Sequence, residues 1–389
     1  MKLINYLLLP LVGVSMAINA AQLSQHTAIQ IVKANDLAGS EQYQAAISLL
    51  NKVSTDREYD RAYIDRMLGV FYWQSGDISR AVKYLDQAVQ SKLLDQQQWQ
   101  TRKMLADLLV SQQHYQPALK HYYQLTASVP EDQSVAQLWL RIAQANYQLE
   151  QWQPVLAAVA EYRNKHLTPE VRPLSLQLGA QLQLQQWQPA IKTLEALIEL
   201  EPGKLNWWRQ LAGLQLQVNR PDKALATLSL ASQAGLILSE QDLKMQAQLY
   251  AQQGIPEKGA EILQQLYRGS ADQTILVQQA WYWQQAKEWQ KAARVWSTAA
   301  QQDNKYYWNA AQQFIQAGQY QHVLQAIDKL NPAHRTEQVR LAKIRALYQL
   351  DRLQEAQAEA NTLYEASGNK QAQNWIRYLS GVMRLNQSD

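Results

Sequence analysis

The chain has 389 residues, 47% of them apolar, with 14 Gly, 11 Pro, no Cys and a formal net charge of +4. That length exceeds one ordinary globular core, and the scarcity of Gly and Pro beside abundant Ala, Leu and Gln favours helix over a many-turned β architecture. So small a charge excess, without a Lys/Arg run, argues against nucleic acid, and the missing cysteine rules out disulfides, thiol chemistry and a lipid anchor on a processing-site thiol.

Residues 1–20 read as a secretory signal peptide. Lys2 gives a positive start, Leu7 to Val14 is apolar apart from Pro10, and small residues place cleavage after Ala17 or Ala20. The run is shorter than the roughly 20 residues a membrane span needs. The mature chain is therefore expected to be periplasmic and not inserted in the membrane.

From residue 21 to 368 one sentence is rewritten again and again. "QHYQPALKHY" (113–122), "EQWQPVLAAV" (150–159) and "QQWQPAIKTL" (185–194) carry a small residue after each "QP". Equivalent positions run Ala46, Ala81, Ala118, Val155, Ala190, Ala224, Gly259, Ala292, Val323 and Ala356, at intervals of 31 to 37 residues. Such a period marks a repeat array. Twelve residues earlier stands another small residue: Ala34, Gly69, Ala106, Ala143, Ala212, Ala247, Ala280 and Ala311, with Leu178 and Ile344 in two degenerate units. Apolar residues four and seven positions after the second small residue complete one helical face. Turns fall at 74–77, 150–153, 252–256 and 316–320, and Pro117, Pro154 and Pro189 suit the first turn of a second helix. Trp187, Trp152 and Tyr115 read as packing wedges, and Pro130 and Pro202 as unit closers. The fold class is therefore all-α: a right-handed α-solenoid of about ten helix pairs. A capping helix and tail follow over 369–389, because a last repeat has no neighbour to cover it.

No catalytic or phosphate-binding motif is present, and no metal or cofactor site is expected. His114 and His121 read as surface imidazoles. Function is then expected on the surface formed by the first helices. Numbering each unit from seven residues before its first small position, positions two, five, nine and twelve point inward. They hold Tyr63, Arg66, Trp73, Lys103, Asp107, Tyr147, Arg209, Lys244, Trp281, Trp308 and Arg345. Arg66, Lys103, Arg209 and Lys244 should form one interrupted basic line. A cationic, aromatic groove suits an extended peptide with acidic groups or a free carboxylate.

Small residues at the crossings and a closing Pro are the grammar of tetratricopeptide repeats. Residues 56–89, "DREYDRAYIDRMLGVFYWQSGDISRAVKYLDQAV", resemble the opening repeat of periplasmic tetratricopeptide proteins associated with TonB–ExbB–ExbD systems. "VAQLWLRIAQANYQLEQW" (135–152), "LNWWRQLAGL" (205–214), "KALATLSLASQAGLI" (223–237) and "LYAQQGIPEKGAEIL" (249–263) are similar to later segments in the same order. The resemblance spans roughly 56–268 and weakens over the Trp-rich 270–310 region. It implies an accessory part in TonB-dependent energy transduction across the outer membrane. Together with the groove, the leading reading is a non-enzymatic scaffold that binds a periplasmic segment of another protein. The Trp and Gln content supports an alternative, a saccharide-binding module of polysaccharide export or peptidoglycan assembly. A third reading is a chaperone-like scaffold for outer-membrane proteins.

Overall fold

The computed structural model describes residues 23–91, 93–267 and 272–385. The signal segment expected over 1–20 lies outside the described residues, which contain helices and no strand.

The chain divides between Glu201 and Pro202 into two compact units. The first holds α1 (Gln25–Gly39) with α2 (Tyr43–Asn51), α3 (Glu58–Gln74) with α4 (Ile78–Gln90), α5 (Asp95–Ser111) with α6 (Tyr115–Thr126), α7 (Val135–Gln148) with α8 (Trp152–Lys165), and α9 (Val171–Gln183) with α10 (Trp187–Leu200). The second holds α11 (Leu205–Gln217) with α12 (Pro221–Gln233), α13 (Glu240–Gln252) with α14 (Pro256–Tyr267), α15 (Gln273–Gln285) with α16 (Trp289–Ala299), α17 (Tyr306–Gln316) with α18 (Tyr320–Lys329), and α19 (Glu337–Gln349) with α20 (Leu353–Ser367), then the single helix α21 (Lys370–Leu385). Within each unit every helix packs on the next. The expected architecture of about ten pairs and a cap is the observed one.

One turn makes every pair. Five residues before the second small position, the backbone is left-handed at Glu41, Gly76, Gln113, Glu150, Gln185, Asn219, Gly254, Lys287, Gly318 and Asp351. The next N–H donates to a carbonyl five residues back, as in Asp77 to Tyr72 (2.9 Å), Gln151 to Asn146 (2.9 Å) and Glu288 to Trp283 (2.9 Å). This bond satisfies a carbonyl that the helix end would otherwise orphan. Only three of the ten turns use Gly. The others accept a side chain where Gly would be less strained, since the left-handed conformation costs an L-residue about 1–2 kcal/mol. Pro117, Pro154 and Pro189 each sit third in their helix, where the missing N–H is no loss.

The small residues sit where helices cross. All ten second-helix positions are buried, as are the first-helix ones, with Leu178 and Ile344 filling the same place in the two degenerate pairs. At Gly69 a Cβ would stand 2.6 Å from Leu85 Cγ, so only Gly lets α3 and α4 approach. The final helix α21 buries Ala372 and Leu379 against α20 and α19, and so covers the last pair.

Candidate functional site

In the first unit, most of the expected groove residues are already engaged within the chain. Tyr63 is buried, its ring 6.2 Å from that of Tyr59, and the Arg66 guanidinium lies over it at 5.6 Å. Trp73 packs on the unit's core. Asp107 accepts from the Tyr122 hydroxyl at 2.5 Å and pairs with Lys103 Nζ at 3.0 Å and Arg141 Nε at 4.0 Å. Burial, and then the Asp107 charge, push the Tyr122 phenol far above its usual range, so it stays a neutral donor. Tyr147 stacks edge-on with Trp152 at 5.2 Å and leans on Gly179, where a Cβ would meet its hydroxyl oxygen at 2.5 Å. Tyr63 and Tyr147, read from the sequence as binding surface, are thus packing residues.

The second unit begins in the same manner. The Arg209 guanidinium binds both Asp242 oxygens, at 2.6 to 3.0 Å. Asp242 occupies a position that holds Ile64, Leu138, Ile275 and Val339 in other pairs, and it is buried like them. Burial alone would raise its pKa, but hydrogen bonds from Arg209 and Ser239 outweigh it and hold the carboxyl below its usual range. Lys244 pairs with Glu240 at 2.7 Å and Asp272 at 3.5 Å. The basic line expected from the sequence is therefore not free in the structure. Lys103, Arg209 and Lys244 are each neutralised by the chain's own carboxylates, because carboxylates arrive on the same or the following first helix.

Beyond α13 the face changes. Trp281 is 49% exposed. Val277 on the same helix, and Trp308 and Leu341 in the same register on the two first helices that follow, are half-buried. Gln248, Gln312 and Arg345 share position nine with Trp281, and all three are exposed. None of their side chains has a hydrogen-bond or ion-pair partner among the described residues. Two amides, one guanidinium and an indole therefore stand ready on successive first helices. Gln248 and Gln312 were missed from the sequence, although the same register that selected Trp281 and Arg345 points to them. Among the described residues no group of three or more acidic or histidine side chains gathers for a metal, and no helix is long and apolar enough to cross a membrane.

A family model described as tetratricopeptide repeat matches residues 31–93. No curated protein matches the chain. Among solved structures the chain is similar to a tetratricopeptide repeat protein from Parabacteroides merdae, at 13% identity and a TM-score of 0.37, over 66% of this chain and 98% of that one. It is also similar to YrrB, a TPR protein with an unusual peptide-binding site, at 15% identity and a TM-score of 0.35, over 44% and 84%. A third likeness is to MamA from Desulfovibrio magneticus, at 14% identity and a TM-score of 0.35, over 46% and 96%. The tetratricopeptide match falls on α1 to α4, and the shared turn and crossing positions carry the same helix-pair architecture through the other eight pairs.

Proposed function

We propose that the protein is a periplasmic scaffold that holds an extended acidic segment of a partner protein, as an accessory of TonB-dependent transport. The observation that carries the reading is the open first-helix face of the second unit: Trp281 exposed between Gln248, Gln312 and Arg345, none of which has a side-chain partner among the described residues. An exposed indole is the side chain most suited to anchor a partner. Free amides both donate to and accept from an extended backbone, and a free guanidinium takes a carboxylate in a two-pronged bond. The signal-like residues 1–20 and the resemblance over 56–268 support the compartment and the TonB association.

The test uses the purified periplasmic segments of TonB and ExbD from the same cell. One of them should bind, and Trp281→Ala with Arg345→Glu should weaken that binding at least tenfold with an unchanged helical circular dichroism spectrum. Growth on a scarce iron–siderophore complex should fall in parallel. Equal binding and growth in the double variant would refute the face. Lys103, Arg209 and Lys244 make poor probes, since reversing them breaks the chain's own ion pairs.

A further inference from the structure

On the opposite side of α15 from Trp281, a cleft of about 370 Å³ opens between α14 and α16. Its floor is Gln279, only 3% exposed, with Trp283 beside it. The Gln279 amide has no hydrogen-bond partner among the described residues. Comparison with other pairs shows why. Glutamine recurs at this position as Gln177 and Gln246, and each is satisfied: Gln177 donates to Thr193 Oγ1 at 3.1 Å, Gln246 to Ser229 Oγ at 3.1 Å. In the eighth pair the residue equivalent to Thr193 is Val295, which has no hydroxyl, and the one equivalent to Ser229 is Gln264, on the cleft wall. Both hydroxyls have gone and a cleft stands in their place. The Gln279 amide therefore opens only onto the cleft, where a polar ligand can supply the bonds that a hydroxyl supplies in other pairs.

The charges around the cleft choose the ligand. Lys291 Nζ sits 4.4 Å from the centre of the Trp283 ring and 3.3 Å from Glu288. Glu261 lines the cleft but is held by Lys258 at 2.8 Å. The Arg294 guanidinium also lines it and pairs with no carboxylate among the described residues. One free cation, two amides and an aromatic wall suit a single carboxylate flanked by hydroxyls, and the volume falls in the range of small-molecule sites.

We propose that this cleft is a second site, separate from the protein-binding face, that takes a carboxylated sugar of the hexuronate class. Its carboxylate meets Arg294 and its hydroxyls meet Gln279 and Gln264.

The test is a saturation-transfer NMR titration of the whole mature chain with glucuronate, using glucose and acetate as controls. Glucuronate should bind with a Kd on the order of 1 mM, as expected for so small a ligand, and at least tenfold tighter than either control. Gln279→Leu should lose at least tenfold in affinity without lowering the melting temperature, because leucine keeps the volume and the amide it replaces makes no bond among the described residues. Should that variant fail to fold, Arg294→Gln, at an exposed position, decides by the same tenfold criterion. Trp281→Ala should leave glucuronate binding unchanged, which separates this site from the protein-binding face. No binding up to about 50 mM, or equal binding of glucose or acetate, would overturn the proposal. Wild-type affinity in Arg294→Gln would do the same.

Discussion

At position nine of the third pair, in the first unit, Asp107 gathers Tyr122, Lys103 and Arg141. At the same position of the eighth and tenth pairs, in the second unit, Trp281 and Arg345 gather no partner among the described residues and face solvent. The backbone register is shared, so the contrast comes from side chains alone. A carboxylate at this position draws in the cations of its own and the next first helix. An indole or a guanidinium cannot, and the face stays open. A repeat array thus decides where it can bind by which pairs it leaves electrically unfinished.

The comparison can be broken first at the helix crossings, where the largest effect is expected. Gly69→Leu forces a side chain into the space of Leu85 and should destabilise by about 3 kcal/mol. Chemical denaturation followed by circular dichroism measures it. An unchanged midpoint would show that the α3–α4 approach is not as close as described.

Next comes the hub itself. Asp107→Ala strands the fully buried Tyr122 hydroxyl and frees Lys103, at a cost of about 2 kcal/mol. Trp281→Ala at the equivalent position should change stability by less than about 0.5 kcal/mol. Similar losses in both variants would erase the contrast between a satisfied face and an open one.

Two glycines sharpen the contrast further. Gly179 and Gly213 each follow a first-helix crossing residue, one in each unit. A Cβ at Gly179 meets the Tyr147 ring, whereas a Cβ at Gly213 meets nothing within 4 Å. Gly179→Ala should destabilise by about 1 kcal/mol, while Gly213→Ala should stabilise by roughly 0.5–1 kcal/mol, because alanine costs the helix less entropy. Opposite signs in urea midpoints are the expected outcome.

The smallest effect is in acid. The Asp242 carboxyl titrates below its usual range in the folded chain, so its contribution is fully present above the unfolded value of about 4 and is lost as pH falls through the lower folded value. Melting temperature should therefore drop between about pH 4 and pH 2, and Asp242→Asn should flatten part of that drop. The change is modest because the Arg209 side chain remains 41% exposed and hydrated. An identical pH profile in the variant would place the acid sensitivity elsewhere, with Asp60, lowered through its bonds from Ser24, as the next candidate.

Some of what the sequence reading missed was in fact visible in it. Lys103 and Asp107, and Glu240 and Lys244, stand four residues apart on single helices, the spacing of an ion pair. Treating Lys103, Asp107 and Lys244 as free groove residues overlooked that spacing. The Arg209–Asp242 pair left a fainter trace, a carboxylate at a position that holds Ile, Leu or Val in five other pairs and no acidic residue in any.

The sequence by itself determined the ten helix pairs, their turns and the small residues at their crossings. Those signals act over at most a dozen residues, and ten repetitions make them readable. Only the tertiary structure decided which charges are spent internally and which polar groups are left over. Arg209 meets Asp242 across 33 residues because two first helices stack. Gln279 goes without a partner because Val295 and Gln264, on two different second helices, stand where hydroxyls stand in other pairs. Such outcomes depend on what several helices bring to one place, and no periodicity along a single helix records them.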